Sequence, residues 1–322
     1  MSRFRMDFLG TKKVVGLAPM AGFTNSACRA IFREYCADFT VGEFAYSRAV
    51  LSGAERVWEK LSFGDECRPA GVQIFGDDPA EMADAAALIE ERLRPDFIDV
   101  NFGCPAPNAV GAGAGSALLK NIPLMRAIVE KICAAVKIPI SAKMRVGWDS
   151  RSIAVPAAAA ELEQAGAKMI TLHGRTKAQG YSGDADWRLI EKTAETLSIP
   201  LIGNGSAEKL SGEFMRSSAC AGFMVGRAAL GNPWIFGQMK ARIEGREPPP
   251  EPSPRDRALL ALRYAKTMAR GGFAGISEGE IKFIKAQIMP FLKNAEGFKR
   301  VRAALRGINT IEQLEDLLCG YI

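Results

Sequence analysis

One cysteine at the end of a strand-like run suggests the chemistry open to this chain. The run Asp99-Val100-Asn101-Phe102-Gly103-Cys104-Pro105 closes an apolar segment and delivers Cys104 at a Gly/Pro turn. A cysteine leaving a parallel strand there points into the mouth of an α/β fold, whereas an arbitrary cysteine is more often a small buried hydrophobe. Thiols in water titrate near ~8.5, so such a group carries a proton at neutral pH and can act as a general acid. Lys143 and Arg145 are spaced to share one face of a strand while Met144 takes the other. A lysine inside a barrel rim is costly unless an opposite charge meets it, either a carboxylate of the chain or an anionic ligand. Gln73 is the polar residue of Val72-Gln73-Ile74-Phe75. A buried amide needs partners, which neighbouring backbone or a ligand could supply. His173 is the one histidine. That excludes multi-histidine metal sites, and no metal site is expected.

These residues need strands to carry them. Short apolar or β-branched runs alternate with helix-length segments at Val14–Pro19, Phe39–Phe44, Gly71–Phe75, Phe97–Asn101, Ile138–Met144, Met169–His173, Pro200–Asn204 and Gly222–Gly226. Eight such runs predict an α/β fold, a (β/α)8 TIM barrel, with catalytic groups where the strands end. Asp78-Pro79-Ala80-Glu81 reads as a helix start, with a capping carboxylate and proline in the first turn. Ala157–Gln164 reads as a helix stopped by Gly166. The barrel is expected to occupy residues 1–245. Glu247-Pro248-Pro249-Pro250-Glu251-Pro252 marks a stiff linker over 246–254. A small C-terminal helical domain follows over 255–322, with helices at Asp256–Arg270, Glu278–Leu292 and Phe298–Leu305, the second kinked or ended by Pro290. Gly111-Ala112-Gly113-Ala114-Gly115 lacks the strand that a dinucleotide loop requires and reads as a mobile loop near Cys104.

With its strand ends so furnished, the chain resembles the tRNA-dihydrouridine synthases, bacterial flavin enzymes that reduce uridine in tRNA. The resemblance rests on Asn101 to Pro105 with Gly115-Ser116-Ala117-Leu118-Leu119, on Ala18-Pro19-Met20-Ala21-Gly22, and on Lys143-Met144-Arg145. It extends to His173-Gly174-Arg175-Thr176 with Gln179, Tyr181-Ser182-Gly183 and Ala185-Asp186-Trp187. It covers almost the whole barrel and, more loosely, the tail. It implies FMN and NADPH as cofactors and tRNA as partner. It implies Cys104 as the acid that protonates C5 of the uracil while hydride from flavin N5 reaches C6. Pro19, Met20, Ala21, Gln73, Lys143 and His173 would contact the flavin. Asn204, Gly205, Ser206, Gly226 and Arg227 would take its phosphate side, as barrels do between their last two strands. The family usually has an acid where this chain has Ser206, so backbone is expected to make that contact. Asn101, Arg145 and Arg175 would meet the substrate. The alternatives are an FMN barrel oxidoreductase acting on a free pyrimidine, and a flavin-dependent RNA-modifying or RNA-chaperone protein on the same scaffold.

Composition sets outer bounds. The 322 residues are 48% hydrophobic, ample for a real core and contrary to disorder. No apolar run is long enough to span a bilayer, and MSRFRMDFLG lacks a signal peptide's hydrophobic centre. Seven cysteines without a CxxC pair fit a reducing cytosol. A cytoplasmic monomer is expected. From Pro252 onward 12 Lys/Arg stand against 7 Asp/Glu, which gives +5 of the chain's net +6. A basic tail on a near-neutral body suits a polyanionic partner, although a solvated helical face would look the same.

Overall fold

The computed structural model describes residues 12–270, 278–293 and 298–321. The segment MSRFRMDFLG lies outside them. Eight parallel strands close into a barrel: β1 (Val14–Leu17), β2 (Phe39–Val41), β3 (Ala70–Phe75), β4 (Phe97–Phe102), β5 (Ile140–Arg145), β6 (Met169–His173), β7 (Leu201–Asn204) and β8 (Gly222–Val225). Each pairs with the next, and β8 returns to β1. The expected TIM barrel is therefore borne out. The run predicted through Phe44 ends at Val41, and Ala45–Tyr46 forms a separate two-residue strand beside β3.

The inside of the barrel is layered along its axis. At the bottom Val14, Phe39, Phe97, Met169, Ile202 and Met224 form an apolar plug. The Phe39 and Phe97 rings, 6.2 Å apart, fill the centre. They fit because two neighbours are glycines: a Cβ on Gly16 would lie 2.2 Å from Phe39, and one on Gly71 would lie 2.4 Å from Phe97. Strand alternation repeats the inward face every second residue. Two residues above Phe97 comes a buried polar layer of Gln73, Asp99 and Ser141, paired across β3, β4 and β5. Two residues higher, Asn101 pairs with Lys143, and above them Arg145, His173 and Asn204 lie side by side. Met144 faces outward into the apolar shell, as its alternation with Lys143 and Arg145 predicted.

Helices cover the outside. α1 is Ser26–Glu34, α2 Ser47–Leu51, α3 Glu55–Leu61, α4 Pro79–Leu93 and α5 Pro107–Gly111. Next come α6 (Ile122–Ala135), α7 (Ala157–Gln164), α8 (Trp187–Thr196), α9 (Gly212–Ser217) and α10 (Trp234–Ile243). Asp78 caps α4 by accepting from the backbone N–H groups of Ala80 and Glu81, as its sequence predicted. The Gly111–Gly115 stretch is not a loop throughout. α5 runs into Gly111, and Gly115 opens a 3-10 turn to Lys120 that folds back on Cys104, with Ser116 N–H donating to the Cys104 carbonyl at 3.1 Å.

The C-terminal region is helical: α11 (Pro254–Arg270), α12 (Glu278–Leu292), α13 (Phe298–Ala304) and α14 (Ile311–Tyr321). Ser253 and Asp256 cap α11 reciprocally. Pro290 lies within α12, two residues before its end. Tyr264, Ile284, Ile288, Phe291 and Leu314 join one apolar cluster with Ile31 and Phe32 of α1 and Phe236 of α10. The helical region thus shares its core with the barrel wall. Polar ties fix the same seam: Arg263 pairs with Glu34 at 2.6 Å, and Gln287 donates to the Gly22 carbonyl.

Candidate active site

A cavity of about 900 Å³ opens at the C-terminal end of the barrel. Its β4 wall is built by side-chain hydrogen bonds. Asn101 Oδ1 accepts from the backbone N–H groups of Gly103 at 2.9 Å and Cys104 at 2.8 Å, closing the turn that presents the half-buried Cys104 to the cavity. Asn101 Nδ2 donates to Gln73 Oε1 at 2.8 Å, and Gln73 Nε2 donates to Asp99 Oδ2 at 2.5 Å. Asp99 Oδ1 accepts from the Ser141 hydroxyl. Gln73 is wholly buried, outside the cavity lining. The partners its amide needed are Asp99 and Asn101, so it meets the cavity through Asn101.

The β5 and β6 ends bring the cations. Lys143 Nζ donates to Asn204 Oδ1 at 3.0 Å. Burial beside Arg145 pushes the Lys143 ammonium down to about 8, against the pull of Asp99. Among the described residues Lys143 makes no ion pair, so the carboxylate partner left open by the sequence is not found at contact distance. Arg145 donates to the Gly103, Thr176 and Gly180 carbonyls. Arg175 donates to the Gly183 carbonyl and, at 3.2 Å, to the Ser206 hydroxyl. Both guanidiniums are buried and pinned by carbonyl dipoles, which leaves their charge fixed in place. His173 is pushed down to about 2, first by burial and then by Lys143, Arg145 and Arg175. It is a neutral imidazole at any ordinary pH, and its buried Nδ1 has no hydrogen-bond partner among the described residues.

The β7–β8 wall joins the Asn204 side chain to a glycine-shaped stretch of backbone. Asn204 is locked by Lys143 and by the Met224 carbonyl, 2.7 Å away. Gly205 has φ +114, and a Cβ there would meet the Ala185 Cβ at 2.8 Å, so only glycine fits. Ser206 follows at φ +53, leading into a short 3-10 turn. Gly226 and the exposed Arg227 complete this side, and Pro19, Met20 and Ala21 after β1 close the circle. The cavity thus gathers Cys104, Asn101 and all the other site residues the sequence singled out except Gln73.

Two residues were not singled out. Tyr181, 54% exposed between Gly180 and Gly183, stands at the mouth with the Arg227 guanidinium 3.8 Å from its ring centre. An aromatic flanked by glycines in a loop after a strand end was the available signal. Asp99 looked like one more strand residue, and only its buried carboxyl marks it. Among the described residues no group of three His, Cys, Asp or Glu could hold a metal ion, and no helix is long and apolar enough to cross a membrane.

The buried Lys143, the pinned Arg145 and Arg175 guanidiniums, an unpartnered imidazole nitrogen and a left-handed glycine turn in one 900 Å³ cavity fit an anionic, phosphate-bearing cofactor. The dihydrouridine synthase (Dus) family model matches residues 16–316. A "Probable tRNA-dihydrouridine synthase" of Aquifex aeolicus is 40% identical over 237 residues, 72% of this chain and 74% of that protein. One from Rickettsia bellii is 37% identical over 251 residues, 77% of each chain. "tRNA-dihydrouridine synthase B" of Pasteurella multocida is 36% identical over 271 residues, 83% of this chain and 80% of that one.

Proposed function

The chain belongs to the dihydrouridine synthase family, and from that premise we propose that it reduces uridine in tRNA to 5,6-dihydrouridine, using FMN and NADPH. The observation that carries this reading is Cys104 on its Asn101-held turn, facing a cavity that Lys143, Arg145 and Arg175 also line.

When bound, FMN reduced by NADPH would supply hydride chemistry at C6 of the uracil. The chain's residues do the rest. Gly205, Ser206, Gly226 and Arg227 would hold the phosphate on backbone N–H groups and one guanidinium. Lys143 would place a cation where charge gathers on reduction, and the His173 Nδ1 would find its missing partner. Pro19, Met20 and Ala21 form the opposite edge of the pocket. Arg145 and Arg175, immobilised by carbonyls, present charge to the substrate without reorganising. As hydride arrives at C6, negative charge develops on C5 and O4. The Cys104 thiol delivers its proton to C5, and solvent reprotonates the thiolate. The uracil must leave its stack to reach this depth.

The helical region from about residue 255, beyond the Pro-rich stretch 246–254, serves in this reading as the RNA-binding part of a cytoplasmic monomer. Lys282, Lys285, Arg302 and Arg306 line a shallow basic cavity of about 440 Å³ there. The test is direct. The purified protein should be yellow, should oxidise NADPH, and should form dihydrouridine in tRNA lacking it, read by nucleoside mass spectrometry. Equal turnover of free uridine or UMP would replace this reading with that of a small-pyrimidine oxidoreductase.

A further inference from the structure

We propose that Asp99 is a positioning residue: from below the cavity it fixes which way the Gln73 and Asn101 amides face, and so holds the Cys104 turn. The proposal rests on the reading of Cys104 as the acid, which nothing else in the proposed mechanism connects to Asp99.

The argument is one of hydrogen-bond direction. Asp99 is 2% exposed, at the centre of the barrel, with no ion pair to it among the described residues. A side-chain amide fits its space equally well in either of two orientations, so its partners decide which atom lies where. The upper end of this chain is made of two backbone N–H groups, Gly103 and Cys104, which can only donate. They demand Oδ1 of Asn101. That leaves Nδ2 to donate downward, so Gln73 must offer Oε1, and its Nε2 must find an acceptor below. Asp99 is that acceptor. With an apolar residue in its place, the Gln73 amide would lose the group that tells its two ends apart. Its Nε2 would lie buried without an acceptor, Gln73 would shift to find one, and Asn101 would lose the Oε1 that steadies it beneath the turn.

The direction survives protonation of the acid. Burial raises the Asp99 carboxyl, against the hydrogen bonds from Ser141 and Gln73. A protonated Asp99 would donate to a rotated Ser141 hydroxyl and still accept from Gln73. An asparagine at this position would do the same. The position therefore needs an acceptor toward Gln73 and does not need a charge.

The experiment uses the flavin-loaded protein and the variants Asp99→Asn and Asp99→Leu. It reads flavin reduction by NADPH, flavin reoxidation by tRNA, and alkylation of Cys104 by iodoacetamide followed by peptide mass spectrometry. For Asp99→Leu, reoxidation by tRNA should fall roughly 10–100-fold, the cost of a misplaced reacting group. Its Cys104 alkylation rate should change severalfold, while flavin reduction stays within about threefold because Asp99 lines no part of the cavity. Asp99→Asn should restore both affected rates to within about threefold. Should the leucine variant not fold, Gln73→Met breaks the same chain one link higher and should give the same pair of changes. Wild-type reoxidation and alkylation in the folded variant would overturn the proposal, as would an asparagine variant as impaired as the leucine one. A shifted alkylation rate, in a protein whose Cys104→Ala variant still reduces uridine normally, would uphold the positioning and overturn the acid role, so the two failures separate.

Discussion

The β4–β5 wall of the cavity and the β7–β8 wall hold their groups by different means. On the first, side chains do the holding: Asn101 fastens the Cys104 turn, Gln73 fastens Asn101, and three carbonyls fasten Arg145. On the second, backbone conformation does most of it, through Gly205 at φ +114 and Ser206 at φ +53, with the Trp187 indole N–H donating to the Gly205 carbonyl at 3.0 Å and the Asn204 amide joining Lys143 to the Met224 carbonyl. Side-chain networks suit a reacting group, which must sit in one orientation. A ring of backbone N–H groups suits a phosphate, which accepts hydrogen bonds from many directions. The contrast predicts that substitutions on the first wall damage turnover and substitutions on the second damage cofactor retention.

The largest effect should come from Cys104→Ala. Flavin content and reduction by NADPH should persist, while reoxidation by tRNA falls by about 10²–10⁴, the usual worth of a general acid. Rapid-mixing absorbance of the flavin separates the two half-reactions, and equal losses in both would erase the distinction between the walls. The reciprocal experiment is Gly205→Ala. The left-handed φ and the 2.8 Å approach to Ala185 should cost about 1–3 kcal/mol, or roughly 5–150-fold in FMN affinity. Gly103→Ala on the side-chain wall meets nothing nearer than 3.5 Å and should leave FMN affinity within about threefold. Titration of the flavin-stripped protein followed by fluorescence measures both.

Lys143 joins the two walls and should show it through pH. Its folded value, about 8, lies below the ordinary lysine value of 10.5, so the ammonium is present below pH 8 and lost above it. FMN affinity of the stripped protein should hold steady up to about pH 7 and then weaken by up to about tenfold per unit above 8. Lys143→Met should bind more weakly and without that slope. A wild-type affinity that is flat from pH 7 to 9.5 would remove the lysine from the flavin's environment.

The smallest effect belongs to the tail. Cutting it away would strip Tyr264, Ile288 and Phe291 from the barrel wall they share, so surface charge is the better probe. Lys282→Gln, Arg302→Gln and Arg306→Gln should each lower the salt dependence of tRNA binding by about 0.7–0.9 log units per tenfold change in salt. FMN affinity should not change. Filter binding at several salt concentrations with an unaltered slope would leave RNA recognition to the barrel mouth.

The eight barrel strands were legible because each is a short apolar run bounded by glycine, proline or polar residues. The α4 cap and α7 were legible for equally local reasons. Elements that depend on distant packing were not: Ala45–Tyr46 is a strand only because β3 lies beside it, and α14 is stabilised by Lys266 of α11 pairing with Glu315 as well as by their shared apolar face. Phe39–Phe44 was expected to continue as one strand and stops at Val41, and a Cβ on the next residue, Gly42, would lie 3.1 Å from the buried Arg29 guanidinium.

The sequence by itself determined which chemical groups stand at which strand ends. Alternation of side chains and the rule that strand ends face the mouth are local properties, and they placed Cys104, Lys143, Arg145, His173 and Asn204 around one opening. Only the tertiary structure decided what each group touches. Gln73 plainly needed partners, but Asp99 and Asn101 lie 26 and 28 residues away and become neighbours only when β3 pairs with β4. Likewise the apolar contacts between the tail's helices and α1 and α10 join residues far apart in the chain. Hydrogen bonds and apolar contacts between distant residues depend on how the chain closes on itself, and no local pattern of residues carries that information.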